Sequence, residues 1–251
     1  MKNNKSYKMK ILSFFIIAAT TLAVFGNSGA DGIITMTTNS HCIKFEFTGS
    51  GYAIVDWGDG SKKDTVLLKA VELEWAKDKG WAQISRLDFD TIPRTITITG
   101  ENITGLICAA RYIVIGGRFG GKCNQFTALD VSQNPALTYL DCDYTGLTEL
   151  DVSKNTALKR LHCSYNQLTE LDVSKNIALL LLGCGNNQLT ALDVSKNVAL
   201  TILHCRNNQL AVLDLSRNTA LKSLNCSNNP LTKLNVSQST VLEQEQYSLL
   251  R

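Results

Sequence analysis

Three histidines, His41, His162 and His204, and eight cysteines are the side chains of this 251-residue chain best suited to catalysis or metal binding. Their spacing speaks against both. His162 and His204 stand two repeats apart, so stacked strands would hold them roughly 10 Å from each other, too far to share a proton or a metal. No G-x-S-x-G, no H-E-x-x-H and no paired-carboxylate cleft is present. The cysteines include no C-x-x-C, and no histidine shares their inward face, which argues against zinc. Asp151, Asp172, Asp193 and Asp214 recur singly, without the dense oxygen cluster that calcium needs. The Gly-rich stretch Ile115 to Gly121 lacks a Lys-Ser/Thr ending and precedes no helical pattern, so it reads as a loop and not a phosphate cradle. The expectation is a non-enzymatic protein with no cofactor and no metal.

The same residues recur because the chain repeats. From Asp130 run DVSQNPALTYLDCDYTGLTEL, DVSKNTALKRLHCSYNQLTEL, DVSKNIALLLLGCGNNQLTAL, DVSKNVALTILHCRNNQLAVL and DLSRNTALKSLNCSNNPLTKL, five copies of 21 residues without insertion. Leucines at this spacing cannot be buried within one unit, so each coil must stack on the next. The pair Leu161 and Cys163 predicts a strand with His162 pointing outward, and Leu171 with Val173 predicts a second extended segment per coil. Five coils then form a slab roughly 24 Å long. Asn155, Asn176, Asn197 and Asn218 form one column, and Asn166, Asn187, Asn208 and Asn229 another; both are expected to satisfy buried turn backbone. Cys142, Cys163, Cys184, Cys205 and Cys226 are expected as a buried column of free thiols, since five cannot all pair. Repulsion along the aspartate column is expected to be offset by Lys154, Lys175, Lys196 and Arg217.

The stretch Leu158, Leu161, Cys163, Asn166, Leu168 reads L-x-x-L-x-C-x-x-N-x-L and resembles the leucine-rich repeat family, within it the bacterial internalin-like subgroup with a cysteine ladder. The resemblance covers residues 123 to 240 and departs from the pattern at Thr145. It implies a curved solenoid, mainly β with short strands and turns, and an adhesin-type role at a cell surface or in secreted form. Cys123 begins an abbreviated first repeat.

Other material precedes the repeats. Residues 1–30 place Lys2, Lys5, Lys8 and Lys10 before an apolar run from Ile11 to Phe25 and a small-residue stretch ending at Ala30, the layout of a signal peptide. The run is shorter than the ~20 residues that cross a bilayer, so the mature chain is expected to have no membrane span. Taking those four lysines from the net charge of +3 leaves −1, which excludes a nucleic-acid footprint. Residues 31–100 carry the period-2 pattern of a small β module, as in Ile33 to Thr38 and Thr95 to Thr99. Within it Val55-Asp56-Trp57-Gly58-Asp59-Gly60-Ser61 reads as a tight turn and resembles the W-G-D-G-S turn of polycystic-kidney-disease-type β modules. Val71 to Gln83 has no clear period. Residues 101–122 form a junction, in which Cys108 is outside the array and free to pair with Cys42. Residues 241–251 form a degenerate end, expected to fray or self-associate.

Function is sought where copies differ. The L-D-V-S-K-N side is nearly constant, whereas the positions around L-x-C vary: Tyr139, Asp141 and Tyr144, then Arg160, His162 and Tyr165, then Leu181, Ile202, His204 and Arg206. Tyrosine and arginine together are the composition of interface anchors, and Leu181 beside Ile202 is expected to be an exposed apolar pair. The reading is an exported recognition protein that binds a protein or glycan partner through this face. Two alternatives stand beside it: an envelope-associated spacer without a ligand, and a hydrolase with its site in residues 31–100. Secreted, surface and periplasmic fates are all compatible with a sequence that shows no wall-sorting motif.

Overall fold

The computed structural model describes residues 32–38, 40, 42–68, 82–87, 93–100, 102–109, 112–115, 118–122 and 125–236. The expected signal peptide, His41, most of Val71 to Gln83, Cys123 and the degenerate end lie outside the described residues. The repeats form a β-solenoid of 21-residue coils, with no helix among the described residues.

Each coil contributes one three-residue strand: β11 (Tyr139–Asp141), β12 (Arg160–His162), β13 (Leu181–Gly183), β14 (Ile202–His204) and, after β15 (Val212–Leu215), β16 (Ser223–Asn225). They pair in parallel and in register, so Tyr139, Arg160, Leu181, Ile202 and Ser223 form one row. Leu140, Leu161, Leu182 and Leu203 in the strand centres are fully buried. The strands are short because the chain turns just after the cysteine: Tyr144, Tyr165, Asn186, Asn207 and Asn228 all take positive φ, between 54° and 62°.

A turn-rich coil hides many backbone groups from water, and the asparagines satisfy them. The Asn176 amide donates to the Val152 and Asn155 carbonyls of the preceding coil, both at 2.9 Å, and Asn155, Asn197 and Asn218 repeat the arrangement. In the other column Asn166 donates to the Cys142 and Cys163 carbonyls, and its Oδ1 accepts the Gly146 and Leu147 N–H groups. Thr145, which departs from the repeat pattern, fills its place by donating to the Cys142 carbonyl at 2.8 Å and bonding Asn166 Oδ1 at 3.0 Å.

One expectation about the constant side needs revision. The segment around Leu171 and Val173 buries both side chains but forms no ladder in the middle coils; strands appear there only as β10 (Phe126–Asp130), β15 and β17 (Lys233–Val236). The valine carbonyls that a ladder would use accept instead from the asparagine amides and from their own turn, as when Asn176 N–H donates to Val173. The lysines do offset the repulsion along the aspartate column, since the pull of Lys175 on Asp172 and of Lys196 on Asp193 exceeds the push of the preceding aspartate, although neither is the main influence. Each aspartate accepts the backbone N–H of the serine two residues on, at 2.8 to 2.9 Å, and that bond is the main reason its carboxyl stays below the usual range.

The N-terminal residues continue both sides of the solenoid. In chain order they form β1 (Gly32–Thr38), β2 (Cys42–Gly49), β3 (Tyr52–Asp56), β4 (Asp64–Leu67), β5 (Ala82–Leu87), β6 (Arg94–Gly100) and β7 (Ile103–Ile107). One sheet runs β10-β1-β6-β3-β4; the other extends the solenoid sheet as β16-β14-β13-β12-β11-β7-β2-β5. Phe45 stacks on Trp57 at 6.2 Å and on Phe126 at 6.3 Å, tying the two sheets into one core. Asp56 and Asp59 accept the Gly58 and Ser61 N–H groups within the tight turn, where Gly58 and Gly60 have positive φ. The Gly-rich stretch is not simply a loop: β8 (Tyr112–Ile115) and β9 (Arg118–Lys122) pair antiparallel there, with Ile115 opposite Arg118.

Cys108 belongs to the array. Leu106 stands opposite Leu140 in the parallel β7–β11 pair, and Cys108 N–H donates to Asp141 as Cys142 N–H donates to His162. Leu106-Ile107-Cys108 is therefore an L-x-C rung before the first full repeat. Cys108 is a free, buried thiol not bonded to Cys42, and the ladder has six rungs, so the odd-number argument against pairing lapses. All six are free thiols; burial raises their pKa, for Cys184 to about 12, and only Cys226 is less than fully buried. Alkylation of the native protein should modify Cys226 first among these six, and peptide mapping should find the other five protected until denaturant is added. Asn176→Ala leaves the Val152 and Asn155 carbonyls with one backbone donor each instead of two and should cost about 1–3 kcal/mol in urea unfolding.

Candidate functional site: a variable face of the solenoid sheet

The strand register gathers the variable residues onto one side. Tyr139, Arg160, Leu181 and Ile202 share a row, and Asp141, His162, Gly183 and His204 share the next. The Tyr139 and His162 rings lie 5.7 Å apart, and Tyr144 stacks on Tyr165 at 4.0 Å with an 11° interplanar angle. Burial first, then its hydrogen bond to Tyr165, raises the Tyr144 phenol to about 12, and the same bond lowers that of Tyr165. Arg206 belongs to the fourth coil but reaches Tyr165 in the second, its guanidinium donating to the phenol oxygen at 2.6 Å.

Gly185 makes room for that reach. A Cβ on Gly185 would lie 3.1 Å from Arg206 Cγ, and a Cβ on Gly183 would lie 3.5 Å from His162 Nδ1. Arg206 thus folds over the third coil. The signal available in the sequence was that Gly183 and Gly185 stand where every other coil has a side chain. Sequence reasoning missed that Tyr144 and Tyr165 occupy left-handed backbone, where the later coils carry asparagine. A bulky side chain at positive φ is disfavoured, whereas asparagine tolerates it.

Leu181 and Ile202 are half-buried and not exposed, since strand pairing sets each side chain against its neighbours in the row. Larger exposed apolar side chains are Ile177 at 61% and Val198 at 54%, on the turns that follow the aspartates. Burial lowers the pKa of His162 against the pull of the Asp141 charge, and it lowers His204 with a smaller push from His162. No group of three or more His, Cys, Asp or Glu among the described residues is arranged to hold a metal ion. No helix among them is long and apolar enough to cross a membrane.

The opposite side is a shallow groove of about 910 Å³ along the constant x-L-D-x-S triplets. Asp130, Glu149, Asp151, Glu170, Asp172 and Asp193 line it, with no lysine or arginine. The groove lining is acidic up to Asp193, Arg217 joins it beyond, and the Lys175 and Lys196 charges bear on its aspartates, whereas the variable face bears Arg160 and Arg206.

No protein-family model matches this chain, and no curated protein matches it. Similar solved structures exist. The functional domain of InlJ from Listeria monocytogenes, described as including a cysteine ladder, is 37% identical over 55% of this chain and 38% of its own, with a TM-score of 0.47. A leucine-rich repeat protein from Leptospira interrogans is 20% identical over 46% of this chain and 41% of its own, with a TM-score of 0.38. An internalin (InlF) from Listeria monocytogenes is 22% identical over 41% and 36%, with a TM-score of 0.36. The chain thus spans less than half the length of each.

Asp143 gives the face a pH dependence. Burial first, then the Asp141 charge, raises its carboxyl to about 7, while the Ser164 N–H donates to it at 2.5 Å. The folded state therefore binds this proton more tightly than the unfolded chain, whose value is about 4. This group's contribution should be most favourable at pH 4 and diminish as pH rises to 7. Urea midpoints at pH 4.5 and 7.5 should show a smaller difference in Asp143→Asn than in the parent.

Proposed function

We propose that this chain is an exported, non-enzymatic recognition protein that binds a protein partner through the variable face. The observation that carries this reading is the tyrosine pair. The later coils occupy the corresponding left-handed position with asparagine, and Tyr144 and Tyr165 replace it with a residue the backbone disfavours. Local strain retained at an exposed site points to a role outside folding. The two rings, with Tyr139, Arg160 and Arg206, supply the side-chain types that dominate binding energy at interfaces.

Export follows from the basic and apolar character of residues 1–30, with cleavage after Ala30. Repeat solenoids offer extended faces of this kind to partners. The smooth column of in-register strands adds no catalytic geometry, which is the basis for reading the protein as a binder and not an enzyme.

The experiment is a random dodecapeptide display selection and a glycan array, run on the full chain beside Tyr144→Asn/Tyr165→Asn. Losing the ring stack and relieving the backbone strain should nearly cancel, so the double variant should unfold within about 1 kcal/mol of the parent. Selected peptides should bind the parent saturably and the variant at least about tenfold more weakly. Peptides that bind both equally, or saturable binding confined to glycans, would overturn the assignment.

A further inference from the structure

Resting on that reading, we infer that the partner is a protein whose docking segment presents a carboxylate beside an apolar side chain, the carboxylate seated over the third coil next to Arg206. The argument starts from charge. In coils two to five, the outward positions of the strand and the two residues after the cysteine include Arg160, His162, His204 and Arg206 and not one aspartate or glutamate. The first coil differs: Asp141 and Asp143 lie toward the N-terminal sheets, and Asp143 is half-buried and held by the Ser164 N–H. The cationic part of the face is therefore confined to its middle, whereas on the reverse side aspartates line the groove, with the Lys175 and Lys196 charges bearing on them and Arg217 lining its continuation. A partner with an acidic segment is attracted toward Arg160 and Arg206, which favours docking on this face.

Local shape narrows the site further. Gly183 and Gly185 remove the side chains of the third coil from the second and third outward rows. Arg206 crosses the gap beside Gly185, and its bond to the Tyr165 phenol holds the guanidinium over coil three instead of extended into water. A guanidinium preorganised in this way retains donors for a carboxylate, which it can take in a bidentate pair. In the first row of coils three and four stand Leu181 and Ile202, half-buried and adjacent. An aliphatic or aromatic side chain next to the carboxylate covers this pair, while Tyr165 borders the seat on the coil-two side.

The test uses the same random dodecapeptide library on the full chain, with Arg206→Gln as counter-selection and Asp172→Asn, on the opposite side, as control. Asn at 172 keeps the acceptor for the Ser174 N–H. Selected sequences should be enriched at least about threefold in Asp or Glu adjacent to Leu, Ile, Val or Phe. A synthesised winner should lose about tenfold or more in affinity with Arg206→Gln, be unchanged with Asp172→Asn, and weaken between 50 and 300 mM salt, as about a tenfold loss expected of a charge-assisted contact. Winners without acidic enrichment, or indifferent to Arg206→Gln, would overturn the inference. If such winners were still lost with the tyrosine variant, recognition by this face would stand and only the assignment of partner chemistry would fall. An oligogalacturonate arm separates carboxylate sources: saturable binding of that sugar acid with no peptide selected would overturn both readings.

Discussion

A 21-residue coil has no interior of its own, and everything else in this protein depends on how one coil's hidden carbonyls are met by the next. Tight coils bend the backbone so often that in coils two and three strand pairing uses only three residues per repeat. The remaining buried carbonyls need donors, and an asparagine amide is short enough to fit at a bend and has two N–H groups to give. One column of amides bonds carbonyls on the aspartate side of the coil and the other bonds those beside the cysteines. Each amide reaches back to the preceding coil, so the bonds that satisfy one turn also fix the register of its neighbour. Leucine burial drives the stacking, and the amides make it specific.

That dependence makes the first coil a problem, because its outward edge would be an open row of backbone groups and bare leucines. The N-terminal strands solve it on both sides at once. β7 supplies one more parallel strand with its own L-x-C rung, β2 then pairs antiparallel with β7, and β1 pairs antiparallel with β10. Phe45, Trp57 and Phe126 carry the leucine core into the space between the two N-terminal sheets. The change from parallel to antiparallel pairing at β7 is where the repeating structure stops.

With folding carried by columns that hardly vary, the outward strand positions are free of structural duty. They are not uniform: the tyrosines lie in the first two coils, the glycines in the third, and the long arginine of the fourth spans back across them. The face thus has a preferred position along a solenoid whose backbone does not. Its charge also differs from that of the reverse side, where in coils two to five repetition places an aspartate for the turn with a lysine or arginine three residues on.

The sequence by itself determined the solenoid. A gapless period with leucine, cysteine and asparagine at constant places has one economical packing, and a period-2 pair such as Leu161 and Cys163 sets which side of the strand faces inward. It also determined that His162, Arg160 and their counterparts point outward together, since register follows from an unchanging repeat length. Only the tertiary structure decided what lies outside the period. Cys108 joins the ladder because β7 pairs with β11, a long-range contact that a single L-x-C triplet does not specify. The second extended segment forms no ladder in the middle coils because the asparagine amides take its carbonyls, a competition between side chain and backbone invisible to a pattern of apolar residues. Leu181 and Ile202 are half-covered because side chains along a parallel row shield one another. The crossing of Arg206 to Tyr165 needs two coils, a missing Cβ and a left-handed turn to coincide, and such coincidences exist only once the coils are stacked.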